Sequence, residues 1–330
     1  MCMLFKCIKH VTKIRLIQFV FIILLLLLFL LFPQKKYTDI NSTSEAVING
    51  NYSIDLISEL GFNSISTVND IDDTCVVIFD TGIEPHPDIV GSILYFCDFT
   101  SDSYIPYDDN GHGTAIAGLI AGNGKSSGGI YKGLAPNVNL IVLKVFNANG
   151  QTNLIQLEKG VEWLLSNLNN YNIKVVCMPL SFDSTIIKST NTLYEKLQLL
   201  SERVITVTSS GNNGKINSPG DIKNIICVGS MYINNDSRGY KYNTPSFSAS
   251  FLTRKVTNKP DVFVPGVDII VLSNSSEKYT VMSGTSLSAA VLTGYIALIY
   301  QIYPDCNVEF VHSYLNNRVD DYGVLQFTLD

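Results

Sequence analysis

From residue 74 onward, short uninterrupted apolar runs alternate with longer stretches of helical character. The runs TCVVIFDTG (74–82), NLIVLKVF (139–146), IKVVCMPLS (173–181), VITVTSSG (204–211) and IICVGS (225–230) predict strands. Each is apolar at consecutive positions, as a strand covered on both faces must be. Between them, HGTAIAGLIAG (112–122) predicts a helix with small residues on its packing face, and NLIQLEKGVEWLLSNL (153–168) has helical periodicity. A buried helix is predicted after Gly284 and Thr285, where small and apolar residues run from Leu287 through Ala289, Ala290, Val291, Leu292 and Ile296. The tail beyond residue 305 reads as a closing helix and a last strand. The alternation of strand and helix predicts an α/β fold, with a mostly parallel central sheet flanked by helices on both faces.

The N-terminus departs from this pattern. Residues 16–32, LIQFVFIILLLLLFLLF, are apolar except Gln18 and span roughly 26 Å as a helix, close to the hydrocarbon thickness of a bilayer. Lys6, Lys9, Lys13 and Arg15 precede the run, whereas only Lys35 and Lys36 follow closely. That bias predicts a cytoplasmic N-terminus, with the rest of the chain membrane-anchored and extracytoplasmic. An uncleaved signal anchor is the expectation; a long cleaved signal peptide, giving a secreted protein, is the alternative. Residues 33–50 are polar and linker-like. The expected organisation is a tail and anchor over 1–36 and one catalytic-sized domain over 37–330. The net charge of −6 and the lack of a basic run argue against nucleic acid as a partner. The seven cysteines show no metal-type pairing, and Cys75, Cys177 and Cys227 fall in apolar runs as core residues.

Three polar residues stand at the ends of these elements. Asp80 closes an apolar strand, where a carboxylate is costly unless something binds it. His112 opens one helix and Ser286 opens another. Each has an ordinary structural role open to it: Asp80 as a turn former, His112 as a structural histidine, Ser286 as a helix N-cap. Together they also make a coherent chemistry. A serine hydroxyl needs a base, an imidazole can shuttle its proton, and a buried carboxylate fixes the imidazole tautomer. Asn212, in SSGNNG (209–214), and the backbone N–H of Ser286 are candidate oxyanion donors.

The order Asp, His, Ser and the motifs VVIFDTGIEPHPDI, NGHGTAIAG, SSGNNG and SGTSLSAA resemble the subtilisin-like serine proteases over roughly residues 50–305. The resemblance implies a serine endopeptidase with Asp80, His112 and Ser286 as triad and Asn212 in the oxyanion hole, and no required cofactor. It implies an extended peptide substrate held between 179–182, with Leu180, Ser181 and Phe182, and 147–152, with Gly150. Gly211 and Asn213 would line the pocket for the residue before the cut, with Asn217 and Ser218 near its bottom. Asp88 matches a common ligand of structural calcium, although the loop 122–133 offers no carboxylate. Ser181 and Phe182 stand where the family usually has glycine, which narrows the expected pocket rim. About 47 residues separate the apolar segment from Asp80, too few for a folded pro-region before the catalytic domain. A selective processing enzyme is therefore expected, for example one removing leader peptides from ribosomally made peptides such as lantibiotics. A broad extracytoplasmic protease and an inactive subtilisin-like binding protein are the alternatives.

Overall fold

The computed structural model describes residues 60, 73–136, 138–183, 191–232, 243–275 and 279–329, all within the compact unit Asp39–Asp330. The apolar segment 16–32 and the linker 33–50 lie outside the described residues.

Seven strands form one sheet: β1 (Cys75–Asp80), β2 (Ile93–Asp98), β3 (Asn139–Lys144), β4 (Ile173–Met178), β5 (Ile205–Ser209), β6 (Ile226–Met231) and β7 (Val262–Pro265). Their order is β2-β3-β1-β4-β5-β6-β7, and every neighbouring pair is parallel. A separate antiparallel ribbon joins β8 (Ile269–Leu272) to β9 (Tyr279–Met282). Among the described residues the α-helices are α1 (His112–Ala121), α2 (Leu154–Asn167), α3 (Asn191–Ser201), α4 (Phe251–Thr257), α5 (Thr285–Ile302) and α6 (Val308–Asn316).

The continuous apolar strands are explained by the layers. Val76 and Ile78 of β1 join the core that contains α1 and α5, while Cys75, Val77 and Phe79 join the core that contains α2 and α3. The same two-sided division holds in β3 and β4. Alternate side chains leave opposite faces of a strand, so a sheet covered twice has no polar face. The helix α2 begins where Asn153 and Gln156 form a reciprocal capping box. Two expectations shift in detail. The strand predicted over 173–181 stops at Met178, because Pro179 brings no N–H to the ladder. The expected last strand is reduced to isolated bridges at Val324 and Leu325. The five cysteines from Cys75 onward are free thiols, and burial pushes that of Cys177 up to about 12.

Helix α5 anchors one face. Every residue from Thr285 to Tyr300 is buried, and the helix packs across β4, β5, β6 and β7 and against α1. Its length and composition would suit a membrane span, but 83% of it is buried inside the protein. It is a core helix.

Lys144, the last residue of β3, is fully buried. Its ammonium donates to the Thr81 carbonyl at 2.5 Å, the Phe146 carbonyl at 2.8 Å and Asp109 Oδ1 at 2.8 Å. Three acceptors use all three protons and tie the end of β3 to the turn after β1. We expect Lys144→Met to cost about 3 kcal/mol by stranding buried acceptors. Urea unfolding of the two proteins measures this.

Candidate active site

Asp80 ends β1 at the carboxyl edge of the sheet, and its side chain is nearly inaccessible. Its Oδ1 accepts the Thr81 N–H at 2.7 Å. His112 Nδ1 lies 2.8 Å from Asp80 Oδ1 and 2.9 Å from Oδ2. An ionised carboxylate only accepts, so Nδ1 carries the proton and Nε2 is left as the basic nitrogen. Burial alone would lower the His112 pKa; the charge and hydrogen bond of Asp80, with the charge of Asp108, overcome it and raise the pKa.

Asp108 is the second carboxylate of the site. Its Oδ1 accepts from Thr81 Oγ1 at 2.9 Å, Asn110 N–H at 3.1 Å and Gly111 N–H at 2.8 Å. Its Oδ2 accepts from the Thr114 N–H at 2.9 Å and the Thr114 hydroxyl at 2.7 Å. Burial would raise its pKa, yet these donors hold it below the usual range. Asp108 thus binds the first turn of α1 to Thr81, the neighbour of Asp80. Thr81 Oγ1 also accepts the Gly113 N–H at 2.9 Å. The contact is so close that a β-carbon on Gly113 would fall 2.1 Å from the Gly82 carbonyl oxygen. Only glycine lets α1 descend onto the turn that holds Asp80.

Ser286 is the second residue of α5. The N-cap is Gly284, without a side-chain capping bond, so the N-cap reading of Ser286 is set aside. Its hydroxyl instead donates to the Pro179 carbonyl at 3.0 Å, across the end of β4. A first-turn N–H has no intrahelical partner, so the Ser286 amide is a donor pointing out of the helix. Asn212 sits beside it. Asn212 Oδ1 accepts both the Thr285 N–H at 3.1 Å and the Thr285 hydroxyl at 2.9 Å. With the oxygen thus held, the amide Nδ2 must face away as a donor. A β-carbon built on Gly284 would lie 3.6 Å from Asn212 Nδ2 and 3.9 Å from the Ser286 nitrogen, so the two donors flank one point.

The flanking segments differ from simple substrate edges. The Leu180 N–H donates to Met178, its carbonyl accepts from Thr208 and Ser209, and its side chain is in the core. Phe182 spends its N–H and carbonyl on Ser218, at 2.7 and 3.0 Å. What faces the site from 179–182 is the Pro179 carbonyl and Ser181. On the other side Gly150 lies in a turn closed on Asn147, and the Ala148 carbonyl accepts from Asn110 Nδ2 at 3.0 Å. Gly211 has φ +102°, and a β-carbon there would meet Asn217 Nδ2 at 2.2 Å and Ser181 Oγ at 3.0 Å. Asn217 and Asn213 bond each other's amides at 3.0 and 3.4 Å. The amide pair therefore lies against Gly211, next to Asn212 in the chain. Asp88 stands apart from this edge: its carboxylate accepts from the Ser126 N–H and the Tyr279 hydroxyl. Among the described residues, no group of three or more His, Cys, Asp or Glu could hold a metal. One carboxylate whose two oxygens each already accept a hydrogen bond, facing a loop with no second carboxylate, does not fit the six to eight oxygens that calcium takes.

Sequence reasoning did not find Asp108, Thr81, Thr285 or Lys144. A lone lysine inside NLIVLKVF and a second aspartate before NGHG are the signals that could have pointed to two of them.

The sequence matches the model of the subtilase family over residues 72–328. It is 35% identical over 270 residues to serine protease AprX of Bacillus subtilis (strain 168), covering 75% of this chain and 61% of AprX. It is 30% identical over 251 residues to the thermostable alkaline protease of Halalkalibacterium halodurans, covering 74% of this chain and 59% of that protein. The chain thus spans about three fifths of the length of these relatives. The crystal structure of a cold adapted subtilisin-like serine proteinase shares the fold with a TM-score of 0.68 at 22% identity, over 85% of this chain and 100% of that one.

The Asp80–His112 contact has a titration consequence. We expect the His112 pKa to lie above that of a free imidazole, and Asp108→Asn to lower it, because loss of that negative charge disfavours the imidazolium. Imidazole NMR across pH checks both, with signals assigned among the four histidines by a His112→Ala spectrum.

Proposed function

The chain belongs to the subtilase family, and on that premise we propose that it is a selective serine endopeptidase that cuts extended peptides after a small residue. The observation that carries the proposal is the pairing of His112 Nδ1 with Asp80 on the edge that also presents Ser286 and Asn212. In this reading the substrate backbone N–H takes over the Pro179 carbonyl, and the released Ser286 hydroxyl turns to His112 Nε2. Its oxygen attacks the scissile carbonyl as the proton passes to Nε2. Asn212 Nδ2 and the Ser286 N–H receive the negative oxygen. The imidazolium then gives its proton to the leaving amine, and water, deprotonated in turn by His112, releases the acyl group. Side chains and backbone of this chain supply the nucleophile, the base and the oxyanion donors, and water completes the hydrolysis.

Selectivity rests on Asn217. Its amide, bonded to Asn213 and lying over Gly211 beside Ser181, would limit the substrate side chain next to the cut. A processing role such as leader-peptide removal fits that limit better than bulk digestion does. In the same proposal residues 16–32 tether the enzyme to the membrane with its catalytic domain outside, supported by the apolar run and the basic residues before it.

A fluorophosphonate probe should label the protein, and Ser286→Ala should abolish labelling and cut peptide turnover by at least about 10³-fold. No labelling of the folded protein would favour the inactive binding protein. A peptide library should show cleavage after Gly, Ala or Ser, and Asn217→Gly should admit larger residues. Equal cleavage after Ala, Leu and Phe by the unaltered enzyme would favour the broad protease. Separately, the protein should stay with membranes through alkaline carbonate extraction; release into the supernatant would refute the anchor.

A further inference from the structure

Asp88 is fully buried, and a carboxylate there must be compensated. Its Oδ1 accepts the Ser126 N–H at 2.7 Å, and its Oδ2 accepts the Tyr279 hydroxyl at 2.5 Å. The Asp88 backbone carbonyl accepts the Asn123 N–H at 3.0 Å, and its own N–H donates to His86 Nδ1 at 3.1 Å. One aspartate therefore receives the loop 122–133 at two places and receives β9 through Tyr279.

The loop is closed upon itself. The Gly122 carbonyl accepts the Gly133 N–H at 2.8 Å. The Gly124 carbonyl accepts from the N–H groups of Ser127 and Gly129 and from the Ser127 hydroxyl. The Ser127 oxygen atoms accept the N–H groups of Ile130 and Tyr131. Its charged residues are Lys125 and Lys132, both cations. Calcium requires six to eight oxygens at about 2.3–2.6 Å with their lone pairs converging on one point. Here the two Asp88 carboxylate oxygens and the Gly122, Gly124 and Ser127 oxygens each already accept at least one proton of the protein, and the loop adds two cations and no second carboxylate.

Tyr279 opens β9, the strand that runs on to Gly284 and Ser286. Its ring is buried and packs edge-on against Tyr131, with centroids 5.1 Å apart, and against His86 at 6.0 Å. Burial and the neighbouring Asp88 raise its pKa, which keeps the hydroxyl protonated as the donor.

We propose that the Ser126–Asp88–Tyr279 hydrogen bonds form a metal-free latch that takes the place of a structural calcium and fastens the loop 122–133 to the strand leading into Ser286. This stands on hydrogen-bond geometry and does not depend on the protease reading.

The test is thermal unfolding of the full chain with Ser286→Ala, in excess EDTA and in excess calcium chloride. The latch predicts the same midpoint in both, within about 1 °C. Tyr279→Phe should lower the midpoint by about 3–10 °C in both buffers, since it strands a buried carboxylate oxygen. A midpoint raised by calcium in the parent and not in Asp88→Asn would overturn the proposal, as would a Tyr279→Phe midpoint equal to the parent's. If Tyr279→Phe does not fold, terbium luminescence on the parent decides. Saturable terbium binding lost in Asp88→Asn overturns the latch, and no Asp88-dependent binding supports it.

Discussion

Asp108 holds a negative charge where water is nearly excluded, at 5% exposure. A buried carboxylate without donors would be neutralised or would unfold its surroundings. The five donors it takes come from the turn after β1, from Asn110 and Gly111 just before α1, and from Thr114 in the first turn of α1. Satisfying one charge thus fixes the distance between the element that carries Asp80 and the element that carries His112. The close seat of Gly113 on Gly82 and the Lys144 bonds to Thr81 and Asp109 make the same junction from other directions.

The burial that stabilises the fold is of a different kind. A fully buried Leu, Ile or Val contributes about 1.5–3 kcal/mol, and a typical hydrogen bond about 1. Helix α5, buried from Thr285 to Tyr300, therefore holds its place by apolar contact with the sheet and α1. Ser286 inherits that position as the first turn of a helix that cannot slide. The polar bonds at the site add little to total stability, yet they decide which atom faces which. Thr285 shows the distinction: its two bonds to Asn212 turn that amide so that nitrogen, not oxygen, meets the site.

Four buried aspartates, Asp80, Asp88, Asp98 and Asp108, illustrate how surroundings divide labour. Asp98 takes hydroxyl and backbone donors from Thr100, Ser101 and Tyr107. Asp88 takes a tyrosine hydroxyl and a backbone N–H. Asp108 takes backbone and threonine donors. None of the groups donating to these three carboxylates changes charge near neutral pH, and the His86 ring 3.8 Å from Asp88 is fully buried. Asp80 alone of the four holds a partly exposed imidazole, with 28% of the His112 side chain accessible, and so it alone is placed to couple its charge to a moving proton.

The two-sided core was legible in the sequence because short apolar runs rich in β-branched residues and bounded by turn residues fit strands covered on both faces. Asp80, His112, Asn212 and Ser286 were legible because motif and chain order mark them. The supporting residues were not. Asp108 and Thr81 lie 27 residues apart and meet only through the fold; Tyr279 and Asp88 lie 191 apart. An aspartate looks the same in sequence whether it meets a metal, an imidazole or a hydroxyl. Leu180 and Phe182 read as a free edge, yet the fold spends their backbone groups on Met178, Thr208, Ser209 and Ser218. Local pattern determined by itself which segments become strands and helices and where chemically capable residues cap them. Which donors reach each buried carboxylate and which backbone edge stays open were decided only in the tertiary structure, because those partners come from distant parts of the chain and are brought together by the packing of both cores.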